Sequence, residues 1–411
     1  MSTTQKTILN SWTKTNLFDE VFFDIVRSGI KKFSGEKNYF STSSINNDKI
    51  INIEAVISFE NRPSRANMLP VDKSVWFAKM KNTIKVVVAN QEMEQTSILS
   101  TGFFGVIPNA EKVSSSYIKQ IFLSDYFNSL KDKYSTGSTM QGISNDGIKK
   151  IVILLPPLLE QNKIAEILST VDREIEQINI VIFQTEKLKK GLMNNLFTKG
   201  IGHKKFKDTE IGTIPQEWGL SELSKVAKVE RGKFSHRPRN APEFYGGDIP
   251  FIQTGDVVNS NGKISSYTQT LNEKGLYVSK LFKKGTIVIT IAANIGDTGI
   301  LQFDSCFPDS LIGITPSEKV DSIFLEYYLR TQKEYLNSIS TQSAQKNINL
   351  EKLNPLPIIL PEKDEQRKIA SILSSVDEKI LINKKYKEKL VIFKKGLMHD
   401  LLSGKVRTIN N

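Results

Sequence analysis

LPPLLEQNKIAEILSTVDREI fills residues 155–175, and LPEKDEQRKIASILSSVDEKI fills residues 360–380. The offset is 205 residues. Thirteen of the twenty-one positions are identical: Leu155, Pro156, Glu160, Gln161, Lys163, Ile164, Ala165, Ile167, Leu168, Ser169, Val171, Asp172 and Ile175 each recur. KKGLM at 189–193 returns at 394–398 with the same offset and no gap. Upstream, TGSTMQGIS (136–144) aligns more faintly with TQSAQKNIN (341–349), behind GVIP (105–108) and GITP (313–316). The chain is a half-chain written twice: a globular unit, a long helix, a globular unit, a long helix.

The prolines at 156, 157 and 361 stop what precedes each helix. Beyond them an apolar stripe advances by alternate steps of three and four. In the first copy it runs through Ile164, Leu168, Val171, Ile175, Ile178, Ile182, Thr185, Lys189, Leu192 and Leu196. In the second it runs through Ile369, Leu373, Val376, Ile380, Asn383, Lys387, Leu390, Lys394, Leu397 and Leu401. That period belongs to coiled-coil packing. Asn383 is placed to set register at the seam, and Lys387 weakens the stripe there. Each helix has room for about 37 residues, or about 55 Å. A helix this long needs a partner, and the simplest one is its twin, packed antiparallel. Gly191 and Gly396 recur near the helix ends, where they either admit a close neighbour or begin the exit.

The expected architecture is α+β and pseudo-two-fold symmetric: two mixed α/β domains separated by two long antiparallel coiled-coil-like helices. The boundaries are a first domain at 1–154, a first spacer helix at 155–200, a second domain at 201–359, and a second spacer helix with its tail at 360–411. Strand-like runs at 51–59, 83–89 and 103–107 mark the first domain, and runs at 249–253, 286–291 and 311–314 mark the second. Helical patterns cover 115–133 and 321–337. No run of βαβ units is long enough for a doubly wound sheet.

Fifty-six Lys and Arg against forty-four Asp and Glu leave +12, a surplus that attracts polyanions. The single cysteine, Cys306, excludes an intrachain disulfide and fits a reducing compartment. His203, His236 and His399 lie far apart, so no metal-ligand spacing exists. The polar N-terminus and short apolar runs predict a cytoplasmic protein without membrane spans. Catalytic patterns are missing. Asn354-Pro355-Leu356-Pro357 lacks the adjacent prolines and aromatic of an adenine methyltransferase. The Asn294–Gly299 turn is no phosphate cradle, and Pro308-Asp309 is not followed by a Glu-x-Lys triplet. No cofactor is expected in this chain.

Phosphates call for cations, and base edges are read by Arg, Lys and amide side chains. In the second domain RGKFSHRPRN supplies Arg231, Lys233, His236, Arg237 and Arg239. Gln253 and Thr254 end one strand, Asn294 follows another, and Gln342, Gln345 and Lys346 occupy a polar stretch. Tyr245 either stacks on a displaced base or packs. In the first domain the candidates are Lys31, Lys32, Lys37, Arg62, Arg65, Lys79, Lys81 and Gln141.

With these residues the chain resembles the specificity subunit of a type I restriction–modification system. The repeated segments carry the resemblance together with KKGLMNNLF (189–197), KKGLMHDLL (394–402), GTIPQEW (212–218), IPFIQTGDV (249–257) and KKGTIVITIAANIGDTG (283–299). The first domain has no IPFIQTGD-like string. The resemblance implies two target-recognition domains that bind double-stranded DNA at a bipartite, asymmetric site. It implies two methylation subunits using S-adenosylmethionine on adenine and, where present, two ATP- and Mg2+-dependent restriction subunits. The alternative from the residues is a DNA-independent helical scaffold joining two proteins. A self-contained methyltransferase is a second alternative.

Overall fold

The computed structural model describes residues 12–138, 141–292, 294–340 and 347–408. The chain divides into two compact units, one made of Met1–Ile180 with Lys385–Asn411, the other of Val181–Lys384. Four helices organise them: α1 (Ser115–Leu123), α2 (Leu158–Lys199), α3 (Ser322–Thr331) and α4 (Lys363–Leu402). The boundary between units crosses both long helices, so each unit holds half of α2 and half of α4.

The long helices contain 42 and 40 residues, a little more than the repeat alone suggests. Their stripe lies inside. Every stripe position from Ile164 to Leu196 and from Ile369 to Leu401 is buried or half-buried. In the first unit Ile164 and Leu168 of α2 share a core with Met398, Leu401 and Leu402 of α4. In the second, Leu196 and Phe197 of α2 share one with Ile369 and Leu373 of α4. In each unit the start of one long helix therefore packs against the end of the other, which is the antiparallel twin pairing. Gly191 and Gly396 interrupt neither helix, and a Cβ added at either meets nothing within 4 Å. Neither glycine serves a close approach among the described residues. Asn383 lies half-buried at the seam with its Nδ2 lacking a hydrogen-bond partner.

Charge pairs repeat with the stripe. Asp172 meets Lys394 at 2.6 Å in the first unit, and Asp377 meets Lys189 at 2.6 Å in the second. These are the same two repeat positions with the helices exchanged. Burial holds the Lys189 ammonium below its ordinary pKa despite that partner. Each aspartate also takes a hydrogen bond from its unit's shorter helix, Asp172 from Gln120 Nε2 (3.2 Å) and Asp377 from Tyr327 Oη (2.6 Å).

Of the four larger sheets among the described residues, three mix parallel and antiparallel pairs, and the one containing Phe103–Pro108 is antiparallel throughout. In the first unit one four-stranded sheet runs Ala55–Ile57, Lys37–Phe40, Ser97–Ser100, Ala66–Met68. Another runs Phe23–Ile25, Phe103–Pro108, Val75–Ala78, Val86–Val88. The second unit has a five-stranded sheet, Ala227–Arg231, Leu311–Pro316, Ile287–Thr290, Thr298–Leu301, Gly262–Ile264. Its four-stranded sheet runs Gln269–Leu271, Tyr245–Phe251, Ser305–Cys306, Leu281–Phe282. Both helical patterns expected from the sequence are broken in two. Ser124 ends α1 and caps Asp125–Lys133 through its side chain, and Gln332 separates α3 from Lys333–Ile339. Ser124 prefers to accept from Phe127 N over continuing the helix, as expected of a short hydroxyl side chain.

Candidate nucleic-acid interface

The Glu-Gln pair of the repeat fastens the rest of each unit to its long helix. Gln161 is almost fully buried; it accepts from Ser114 N at 2.9 Å and donates to Pro156 O and Lys112 O. Gln366 does the same with Asp321 N at 2.7 Å, Pro361 O and Lys319 O. One amide thus closes the turn before its long helix and captures the backbone at the start of α1 or α3. Glu160, fully buried, accepts from Trp12 Nε1 at 3.2 Å and from Arg407 Nε and Nη2 at 2.7 Å. Glu365 accepts from Trp218 Nε1 at 2.9 Å, Ile201 N at 2.8 Å and His203 Nε2 at 3.0 Å. His203 stands where Arg407 stands in the other unit. Burial opposes its protonation, but the bonds to Glu365 and then Glu217 outweigh that and raise its pKa above the ordinary value.

In the second unit the recognition candidates converge on one short segment, Cys306 to Leu311. Cys306 pairs in parallel with Phe251, so Gln253 and Thr254 leave the sheet at the same end as Pro308 and Asp309. Lys233 N donates to Phe307 O at 3.0 Å and Gly232 N to Leu311 O at 2.9 Å, which brings Arg231 and Lys233 alongside. Thr290 pairs with Leu311, so the turn carrying Asn294 rises beside them. Arg231, Lys233, Arg237, Arg239 and Asn294 are exposed, and Gln253, Thr254 and His236 are half-buried. The Gln253 amide donates to Gln269 Oε1 at 3.0 Å, and Asp256 closes a capping box on Gln253 N. His236 packs on the Phe244 ring at 4.3 Å. Tyr245 packs between Phe234 and Phe251 and donates to Arg239 O, so it is a support for the loop. Gln342, Gln345 and Lys346 lie outside the described residues.

Two residues of this surface escape sequence reasoning. Asp309 takes contacts from both Arg237 and Arg239. Tyr277 is 90% exposed at the end of a short helix and precedes Val278, whose carbonyl accepts from Ser235. An aromatic side chain so exposed was detectable only as one tyrosine among eleven.

The first unit assembles its candidates along a path of backbone bonds. Thr101 N donates to Arg65 O, Lys79 N to Gly102 O, and Lys81 N to Gln141 O. Arg65 and Gln141 are exposed, and Lys79 and Lys81 are half-buried. Burial lowers the Lys79 pKa. Lys31 and Lys32 are exposed on a neighbouring loop, where Lys32 meets Glu60 at 3.4 Å. Arg62 lies over the Phe59 ring at 3.9 Å, and Lys37 is engaged with Gln95 O. Arg62 and Lys37 are therefore partly occupied by the protein itself. No group of three or more metal-binding side chains occurs among the described residues, and no described helix is long and apolar enough to cross a membrane.

Residues 24–182 and 215–391 each match the Type I restriction modification DNA specificity domain. The chain belongs to the type I specificity subunits. A putative type I restriction enzyme MjaX specificity subunit from Methanocaldococcus jannaschii is 35% identical over 310 residues, 73% of this chain and 70% of that one. Among solved structures, a chain from a type I R-M system covers 97% of this chain and 99% of its own at TM-score 0.61 and 18% identity. The S subunit of a Type-I restriction-modification system from M. genitalium covers 95% and 96% at TM-score 0.57 and 15% identity. These structural likenesses extend the shared fold over nearly the whole specificity subunit. As such a subunit, the chain is the non-catalytic, DNA-recognising member of its enzyme.

Proposed function

We propose that this specificity subunit reads a bipartite, asymmetric site on double-stranded DNA, one part with each unit. The observation that carries the reading is the contrast between two unlike surfaces and their like attachments. The Gln161 and Gln366 clasps and the two Asp–Lys pairs are equivalent, while the residues offered to solvent differ. Cations on each unit supply phosphate affinity that falls steeply with salt. Arg231, Lys233, His236, Arg237, Arg239, Gln253, Thr254 and Asn294 form the second reader; Lys31, Lys32, Arg65, Lys81 and Gln141 form the first, with Arg62 and Lys37 in support. Gln342, Gln345 and Lys346 are assigned to the second reader from sequence alone.

The paired helices serve as the ruler that sets the gap between the two parts. They also present apolar side chains to solvent at repeat-equivalent places. Leu188 in one unit and Phe393 in the other are each 57% exposed, with Phe183 (67%) and Ile392 (71%) nearby. Two adenine-methylating partners that use S-adenosylmethionine dock there, and ATP- and Mg2+-dependent restriction subunits join where the system has them. The complex works in the cytoplasm. A helical scaffold without DNA would leave the converging cations of the second unit without a role.

The test is to map methylated adenines in DNA exposed to this chain with its methylation partner. Two short half-sites at one constant gap are expected. A continuous palindrome, or no sequence preference, overturns the reading.

A further inference from the structure

We propose that Asp309 sets the sequence selectivity of the second reader by aiming Arg239 at base edges and opposing indiscriminate phosphate binding. The inference rests on the DNA-reading function proposed above and assigns a role inside that surface. Asp309 stands on a rigid seat. Phe307 and Pro308 before it are buried, Phe307 stacks on Phe282 at 4.0 Å, and Leu311 behind it is fully buried. The strand that delivers Arg231 and Lys233 is pressed onto that seat so closely that a Cβ on Gly232 would lie 2.2 Å from Pro308 O. The backbone that carries the carboxylate is therefore fixed by the core.

The two arginines it meets come from the loop at 234–241 and have unequal tasks. Arg237 donates Nη1 to Phe234 O (2.6 Å) and His236 O (2.8 Å) and Nη2 to Asp309 Oδ2 (3.4 Å). Three of its five donors are engaged, two of them on carbonyls of the loop itself. Arg239 reaches Asp309 Oδ1 through Nη2 and remains 45% exposed. It keeps donors for a second acceptor, and a carboxylate on one edge leaves the other edge oriented. Guanidinium forks read guanine O6 and N7 in this way. A phosphate brought to the same place meets the negative Asp309, so backbone binding without the right base is penalised.

The measurement uses the full chain assembled with its methylation partner. Binding is titrated on a duplex carrying the mapped target and on a mixed-sequence duplex of equal length, each at two salt concentrations. Asp309→Asn is expected to tighten mixed-sequence binding about three- to tenfold and to steepen its salt slope by about one unit. Target binding changes less, so discrimination falls. Arg239→Ala also lowers discrimination but weakens mixed-sequence binding. Asp309→Glu keeps the charge and should retain most of the discrimination. Unchanged discrimination in Asp309→Asn overturns the proposal. So does a parallel loss of both affinities together with a lower melting temperature, which marks a merely structural residue. Should Asp309→Asn fail to fold, an Asp309→Glu protein that folds yet loses discrimination as fully as Arg239→Ala overturns it too. If the unsubstituted complex itself does not distinguish the duplexes, the DNA-reading function falls and this inference with it.

Discussion

Replacing Glu365 by alanine should cost the second unit about 3 kcal/mol. The carboxylate is only 14% exposed and receives three donors. The Trp218 indole N–H belongs to a side chain 1% exposed, and a buried donor that loses its acceptor costs about 1–3 kcal/mol. The pair with protonated His203, itself 13% exposed, adds about 1 kcal/mol. Ile201 is more open, and its N–H is rehydrated at little cost. Glu365→Gln keeps one acceptor oxygen and should lose about half as much. For a unit of this size 3 kcal/mol lowers Tm by about 6–12 °C. The assay is thermal unfolding of the full chain, followed by tryptophan fluorescence and repeated across pH. His203 has a raised folded pKa, so its contribution is complete below about pH 6.5, the unfolded value, and is lost as pH rises through the folded value. The gap between unsubstituted protein and Glu365→Ala should therefore narrow from pH 6 to pH 9. A loss below about 1 kcal/mol, or a gap that widens with pH, refutes the clasp as described.

Gly191→Ala and Gly396→Ala should each stabilise the isolated chain by about 0.8–1 kcal/mol, since both sit in helix with open space around the added methyl. If a partner helix approaches closely there, the same substitutions weaken assembly with the methylation subunit; unaltered assembly in a pull-down titration removes that partner from these sites. Asn383→Leu should raise stability by about 1 kcal/mol because Nδ2 is buried without a partner. A loss in urea unfolding would instead favour a register-setting role for Asn383. Tyr277→Ala should weaken target binding about tenfold, and Tyr277→Phe should restore it, if the exposed ring packs on DNA. Equal binding by all three proteins would leave Tyr277 outside the interface.

The scaffold is legible in the sequence because its signals are local and periodic. Ile164, Leu168, Ile369 and Leu373 repeat with helical spacing, and each is fully buried. Its fastenings were less legible. Trp12, Glu160 and Arg407 meet across separations of 148 and 247 residues, and no spacing rule links them. The repeat exposed Glu160 and Glu365 as matched positions, but their donors, an arginine in one unit and a histidine in the other, do not match. Asp309 looked like half of an absent nuclease motif. Its true neighbours, Arg237 and Arg239, lie 72 and 70 residues away and are delivered by sheet register. The helices expected at 115–133 and 321–337 hid breaks at Ser124, where a side-chain cap competes with the continuing amphipathic pattern, and at Gln332, where the break has no side-chain cap.

The Gln161 and Gln366 clasps grip main chain: a carbonyl before the long helix, a second carbonyl, and the N–H of the residue that caps α1 or α3. Such a socket is indifferent to the side chains of whatever is plugged into it. Side-chain changes around Ser114 and Asp321 therefore leave this grip intact, and divergence within a unit is limited instead where side chains meet the long helices, as Gln120 does at Asp172 and Tyr327 at Asp377.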